Sequence, residues 1–355
     1  MNNNTTAPSD VQHYHFGIDA HLNQWVVTVR TNDMGMHTFA MPPSPEGLQR
    51  YARKRCPGGV YHSAYEAGFC GFWIHRRLTE LDFDNTVCHA ADIPTTQKQR
   101  LQRTDKRDSR KIAEGLEKGT LNAVYVPDEP MQHLRSLCRL RFRCRRDLTR
   151  IKNRVKAFLH FNGIAIPPHH QMCHWSARFL SWLESLRIDD GPADDFLACC
   201  IEDLKHKRDQ LLRLTRRLRH YCNEEPHRSV IGLLLTVPGI GFLTAATLYT
   251  EIIDIDRFPN LDNLASQVGL IPCTDESDET SPELGLTPRK NAFLSSLIIE
   301  ASWVAIRHDP DLMACFAKLS RRMKKQEASV RIARKLLNRV RYVWKNRKPC
   351  QRMQA

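Results

Sequence analysis

Four carboxylates in this chain have the spacing to share a metal. Asp19 closes the apolar, β-prone run 14–19 (YHFGID), and Glu66 closes a second such run at 59–65 (GVYHSAY). Farther on, RTDKRDS at 103–109 sets Asp105 and Asp108 at i and i+3, on one face of a helix that Thr104 is suited to cap. Each has an ordinary explanation on its own, because the helix macrodipole favours acids in a first turn and an Asp after a strand is common turn chemistry. As an ordered set, strand-Asp, strand-Glu and Asp-x-x-Asp supply hard oxygen ligands whose mutual repulsion a divalent cation, Mg2+ or Mn2+, relieves. Such ions in pairs support in-line displacement at a phosphodiester.

The elements that must position these groups can be read from periodicity. Runs at 14–19, 25–30 (WVVTVR) and 36–40 are separated by turns rich in Asn, Asp and Gly, the pattern of a three-stranded antiparallel meander. A helix is expected over 43–55, a strand over 59–65, an amphipathic helix over 69–81 and a short strand over 86–90. A meander followed by β-α-β-α units is the layout of a ribonuclease-H-like sheet, in which the first and fourth strands end side by side. That layout would place Asp19 beside Glu66.

From residue 128 the texture turns helical and basic. The stretch 135–156 (RSLCRLRFRCRRDLTRIKNRVK) opposes its cations with Asp147 alone, while Leu137, Leu140, Leu148, Ile151 and Val155 form an apolar stripe. Arg139, Arg143, Arg146, Arg150, Lys152 and Arg154 are the candidate nucleic-acid contacts. A second long helix over 192–221, with its own basic run at 205–219, would pair with the first as a coiled-coil-like arm. At 233–248 (LLLTVPGIGFLTAATL) two apolar helices flank a Gly-x-Gly turn. Gly239 and Gly241 there either let the backbone approach a phosphate, as in a helix-hairpin-helix, or close a plain packed αα-hairpin.

Composition bounds these readings. With 53 Lys and Arg against 39 Asp and Glu, the formal charge of +14 points to a polyanionic partner. The 41% hydrophobic and 26% charged fractions are those of a globular chain. No apolar run reaches 18 residues and 1–13 lacks the layout of a signal peptide, so membrane and secreted classes are excluded and a cytoplasmic, nucleoid-associated protein is expected. The twelve cysteines contain no CxxC pair and read as reduced, mostly buried small hydrophobes. The expected organisation is a disordered 1–13, a ribonuclease-H-like (RuvC-like) α/β domain at 14–127, a helical arm at 128–225, a helical domain with the glycine turn at 226–310, and basic C-terminal helices at 311–355.

The blocks GIDAH (17–21), YEAGFCGFWIHRRL (65–78), TDKRDS (104–109), VPGIGFLTAATLYTEI (237–252), VGLIP (268–272) and TPRKNAFLSSLIIEASW (287–303) together resemble the transposases of insertion-sequence family 110, the DEDD-type recombinases related to the Piv invertases. The resemblance spans 14 to about 345. It implies a RuvC-like tetrad of Asp19, Glu66, Asp105 and Asp108 around magnesium, and a serine nucleophile that maps to Ser277. It also implies a covalent DNA–protein link, a structured guide RNA from the element itself, and donor and target DNA as substrates. Because Ser277 is far from the tetrad in sequence and in domain, the site is expected to be completed across subunits in a homodimer or higher assembly. Asp278 stands where the family's Ser-Gly step has Gly, and Ser281 is a second candidate nucleophile. Two other functions fit the same residues: a junction-resolving nuclease that uses water and forms no covalent intermediate, and an inactive nucleic-acid-binding remnant.

Overall fold

The structure is a computed structural model that describes residues 11–31, 35–89, 104–271 and 291–350. Ser277 and Ser281 lie outside the described residues. The chain divides after Val126 into two compact units.

The first unit is built on a five-stranded sheet. Its strands are β1 (His13–Ala20), β2 (Trp25–Thr31), β3 (Gly35–Met41), β4 (Val60–Glu66) and β5 (Phe83–Cys88), in the order β3-β2-β1-β4-β5. β1 to β3 pair antiparallel, whereas β4 runs parallel to β1 and β5 parallel to β4. This is the mixed sheet that the sequence pattern implied. Alternation assigns its two faces. Tyr14, Phe16 and Ile18 bury into one core with Val27, Val29, Tyr65 and Phe83, covered by α1 (Pro45–Arg55) and α2 (Trp73–Glu80) through Leu48, Ile74 and Leu78. On the opposite face lies α3 (Asp105–Glu117), whose Ile112 packs on Ala64 and Cys88.

Two boundaries differ from the sequence reading. The helix expected over 69–81 starts only at Trp73, because Gly71 takes a left-handed φ of 58° in a turn closed by its amide donating to the Gly68 carbonyl at 3.1 Å. The last strand begins at Phe83 rather than 86, since the buried ring of Phe83 lies against Phe16 and draws the polar stretch Asp84–Asn85 into pairing with β4.

The seat of α3 is set by Gly17, in the middle of β1. A Cβ at that position would come within 2.2 Å of the Ser109 carbonyl oxygen and 2.3 Å of the Ala113 nitrogen, so the helix backbone rests directly on the strand. Polar contacts pin it there: the hydroxyls of Thr28 and Ser109 share a buried 2.9 Å hydrogen bond, and Arg30 spans Glu114 at 3.1 Å and Glu117 at 2.7 Å.

The second unit is helical. Two long helices, α4 (Glu129–Phe161) and α6 (Pro192–Cys222), pack along each other, with α5 (Ala177–Ser185) between them in sequence. Asp128 caps α4 by accepting from the Met131 amide at 2.8 Å, and Pro130 follows in the first turn where a missing amide costs nothing. Leu148, Ile151, Val155 and Leu159 of α4, at spacings of three and four, form one core with Leu197, Ile201 and Leu204 of α6 and with Phe179 and Leu183 of α5. The other end of α4, with Met131, Leu134 and Cys138, enters a larger core built by α7 (His227–Leu235), α8 (Phe242–Ile252), α9 (Leu261–Val268), α10 (Ala292–His308), α11 (Pro310–Ser320) and α12 (Lys325–Asn346). Trp344, Leu336 and Leu337 of α12 are among its most buried side chains. Among the described cysteines all are free, and Cys56, Cys88, Cys138, Cys144, Cys200 and Cys222 are buried. No helix among the described residues is long and apolar enough to cross a membrane.

Candidate metal centre

β1 carries Asp19 to the same face of the sheet as Gly17, the face on which α3 lies. Because the helix is held against Gly17 farther down the strand, its N-terminal turn arrives over the strand end, with Asp105 as its first residue. His21, two residues after Asp19, joins them. Its Nε2 lies 3.3 Å from Asp19 Oδ2 and 3.6 Å from Asp105 Oδ1. One ligand atom from each of Asp19, His21 and Asp105 falls within 4.8 Å of the others, the grouping a single metal ion requires.

The electrostatics are those of crowded like charges. Asp19 is the most enclosed of the three, with 20% of its side chain exposed against 61% for Asp105. Burial pushes the Asp19 carboxyl above the usual carboxylate range; His21 draws it down, and the carboxylates of Asp105 and Asp108 push it further up. Asp108 is half-buried one turn along α3, close enough to act on Asp19. Glu66 ends β4, which runs parallel to β1 with Ile18 opposite Tyr65, so Asp19 and Glu66 each stand one residue beyond that pair. Glu66 is exposed and outside the three-residue group.

This donor set suits a divalent cation. Carboxylate oxygens favour Mg2+ or Mn2+, while the imidazole adds a nitrogen donor that Mn2+ accepts more readily than Mg2+. His21 is the member the sequence reading passed over. Its signal was its position in GIDAH, two residues past a strand-ending Asp, where the chain turns back and the side chain returns toward the carboxylate.

The basic candidates fall into distinct environments. Arg143, Arg146, Arg150 and Arg154 are exposed along α4, with Arg150 bonded to Asp147 at 3.1 Å and Arg154 4.0 Å from Asp203. The Lys152 ammonium sits over the Trp175 ring at 5.3 Å, and burial with the neighbouring cations Arg208 and Lys156 lowers its pKa. Arg139, though 46% exposed, is engaged by another part of the chain. Its Nε and a terminal nitrogen donate to the two carboxylate oxygens of Glu251 at 2.6 and 2.7 Å, and Asn291 adds a third hydrogen bond to Glu251 at 3.0 Å. A bidentate pair on a carboxylate only 2% exposed accounts for this arginine without a phosphate.

Gly239 likewise has an internal explanation. It takes φ of 85°, and a Cβ would meet the Ala301 carbonyl, the Ala305 nitrogen and the Ala305 Cβ, each at 2.7 Å, so the turn needs glycine to lie against α10. Gly241, at the N-cap of α8, faces open space where a Cβ would be.

A mixed sheet with carboxylates gathered at a strand end and a helix start, followed by a helical unit, is consistent with a ribonuclease-H-like DEDD transposase. Comparisons bear this out: the transposase family of DEDD-type IS110 elements matches residues 16–162, and the family described as transposase IS116/IS110/IS902 matches residues 232–317. The chain is 27% identical to the putative transposase y4rJ of Sinorhizobium fredii over 355 aligned residues, 89% of this chain and 87% of the relative. It is also 27% identical to the putative transposase y4qE of the same organism, over 67% of this chain and 57% of that relative's length. With the transposase for insertion sequence element IS1533 of Leptospira borgpetersenii it shares 25% identity, over 56% and 57% of the two chains. The chain belongs to the IS110 family of insertion-sequence transposases.

Proposed function

We propose that this protein cuts and rejoins DNA at a divalent-metal centre held by Asp19, Asp105, Asp108 and Glu66. The observation that carries the reading is the meeting of Asp19, His21 and Asp105 at one strand end, where burial and neighbouring carboxylates already disfavour the free charge on Asp19. A bound Mg2+ or Mn2+ would supply Lewis-acid stabilisation of charge on the phosphoryl oxygens. The chain's own residues hold the carboxylates at fixed spacing through the seat of α3 on Gly17, and His21, whose Nε2 lies 3.3 Å from Asp19 and 3.6 Å from Asp105, is a further candidate ligand.

In this reading Ser277, outside the described residues, is the nucleophile. Its Oγ loses a proton and bonds to phosphorus, the deoxyribose oxygen leaves and takes up a proton, and the phosphoserine ester conserves the bond for rejoining to a second strand. Ser281 is the alternative position for that role. The exposed cations Arg143, Arg146, Arg150 and Arg154, with Lys152, track a nucleic-acid backbone along α4, and α4 with α6 forms the arm that presents them. Gly241 and the start of α8, in a helix-hairpin-helix, add a phosphate contact, whereas Arg139 and Gly239 serve the fold. A structured guide RNA supplies sequence specificity, and a dimer or higher assembly brings donor and target DNA together.

The test is a trapping experiment with end-labelled element-end DNA, the guide RNA and Mg2+, followed by denaturation. The reading expects label retained on the wild-type protein and absent from Ser277→Ala. Cleavage without retained label would replace it with a water-using nuclease, and a chain that binds nucleic acid but neither cuts nor traps would be the inactive remnant.

A further inference from the structure

Beside the metal centre lies a cavity of about 350 Å3 lined by His21, Leu22, Asn23, Gln24, Phe69 and Asp105. Two of these, His21 and Asp105, also belong to the metal centre, so a ligand in the cavity would lie against the metal-binding carboxylate of α3. The other walls come from two loops at the same end of the sheet. Residues 21–24 form the turn between β1 and β2, whose last register pair is Ala20 with Trp25. Phe69 sits in the turn that follows Glu66.

The lining includes two exposed apolar side chains. Leu22 is 77% exposed and Phe69 63% exposed, which leaves an aliphatic and an aromatic side chain in water at the edge of a charged site. The Phe69 loop is not loose: the Gly71 amide closes it onto the Gly68 carbonyl at 3.1 Å, the Tyr65 hydroxyl donates to the Gly71 carbonyl at 2.9 Å, and the Ala67 amide donates to the Cys88 carbonyl at 2.8 Å. An exposed ring held by a braced loop is poised to bind, since its ordering cost is met before any ligand arrives. Asn23 and Gln24 also line the cavity, and each carries a side-chain amide that is both donor and acceptor.

A flat aromatic face, an aliphatic contact and paired amides suit a planar heterocycle with hydrogen-bonding edges. The adjoining carboxylates suit the phosphate to which such a heterocycle is linked. We propose that the cavity receives an unstacked nucleobase of the DNA strand bound at the metal centre, with Phe69 against its face and Asn23 and Gln24 at its edge. The proposal rests on the DNA-cutting reading for its choice of ligand, and it adds that the strand is locally unpaired at the site.

The experiment titrates the full-length protein, in Ca2+, into a single-stranded DNA hexamer carrying one 2-aminopurine. Stacking on Phe69 is expected to quench the probe. Phe69→Leu, which keeps an apolar side chain of similar size at an exposed position, should weaken binding about ten-fold and lose most of the quench, and Phe69→Trp should restore both. No quench with the wild type, or equal quench with Phe69→Leu, overturns the proposal even if the same preparation cuts element-end DNA in Mg2+. Quench that is lost in Phe69→Leu and regained in Phe69→Trp sustains it, even if the wild type neither cuts nor traps DNA, in which case only the DNA-cutting reading falls.

Discussion

Two buried or half-buried carboxylates, Asp19 in the sheet unit and Glu251 in the helical unit, show opposite ways of handling charge. Glu251 is 2% exposed and fully occupied, with two hydrogen bonds from Arg139 and one from Asn291. Asp19 has other carboxylates for neighbours and one imidazole to offset them. The first arrangement is complete without any ligand, whereas the second leaves like charges that a cation would offset. A charge whose surroundings are saturated belongs to the fold, whereas a charge set among like charges marks a site.

The contrast can be broken or sharpened by substitution. Asp19→Asn should have the largest effect, lowering DNA cleavage roughly 100- to 1,000-fold in a gel assay, while the melting temperature without metal stays level or rises because a repelled, partly buried charge is gone. A lowered melting temperature would make Asp19 a structural acid like Glu251. Arg139→Ala should do the reverse. Leaving Glu251 buried without its bidentate partner costs about 3 kcal/mol in chemical denaturation, with the salt dependence of nucleic-acid binding unchanged.

Gly17→Ala should cost roughly 3 kcal/mol, the upper end for overpacking, because its methyl would meet main-chain atoms of α3. Cleavage should fall with it as Asp105 is displaced from Asp19, so a variant of native stability and activity would show that the helix is not seated there. Asp309 tests a second saturated carboxylate. Burial acts to raise its pKa, but hydrogen bonds from Arg339 and the Leu312 amide outweigh this and hold it below the usual value. A depressed folded pKa contributes stability above the unfolded value of about 3.9 and loses it as pH falls through the folded value. Asp309→Asn should therefore be about 1–2 kcal/mol less stable than wild type at pH 7, with the gap closing below pH 4. The smallest effect is expected for Arg150→Ala, which should flatten the slope of log affinity against log salt by about 0.9 with no change in melting temperature.

Much of the first unit could be read in the sequence because each face of the sheet leaves a mark of period two. Tyr14, Phe16 and Ile18 alternate with Gly17 and Asp19, and the carboxylates fall at the ends of the runs. The convergence of Asp19 with Asp105 followed from one strand end and one helix start, although the Thr104 side chain, suited to cap that helix, makes no capping hydrogen bond. What periodicity could not carry was partnership at long range. Arg139 sits in a run of cations that look alike by composition, and what separates it is Glu251, 112 residues away. Gly239 looked fit for a phosphate because glycine permits close approach, but the pattern does not say what approaches; here it is Ala301 and Ala305 of α10. Ser277 was reached by resemblance alone.

The contact at Gly17 is main chain against main chain. Side chains that separate a helix from a sheet can change rotamer, and their replacement by larger or smaller ones moves the helix with them. No such spacer intervenes between β1 and α3 at Gly17, so the interval from Asp19 to Asp105 is inherited from peptide geometry rather than from the contents of the core. The opposite face of the sheet, where Leu48, Ile74 and Leu78 pack, is thereby free to drift in sequence while the interval between the two carboxylates stays the same.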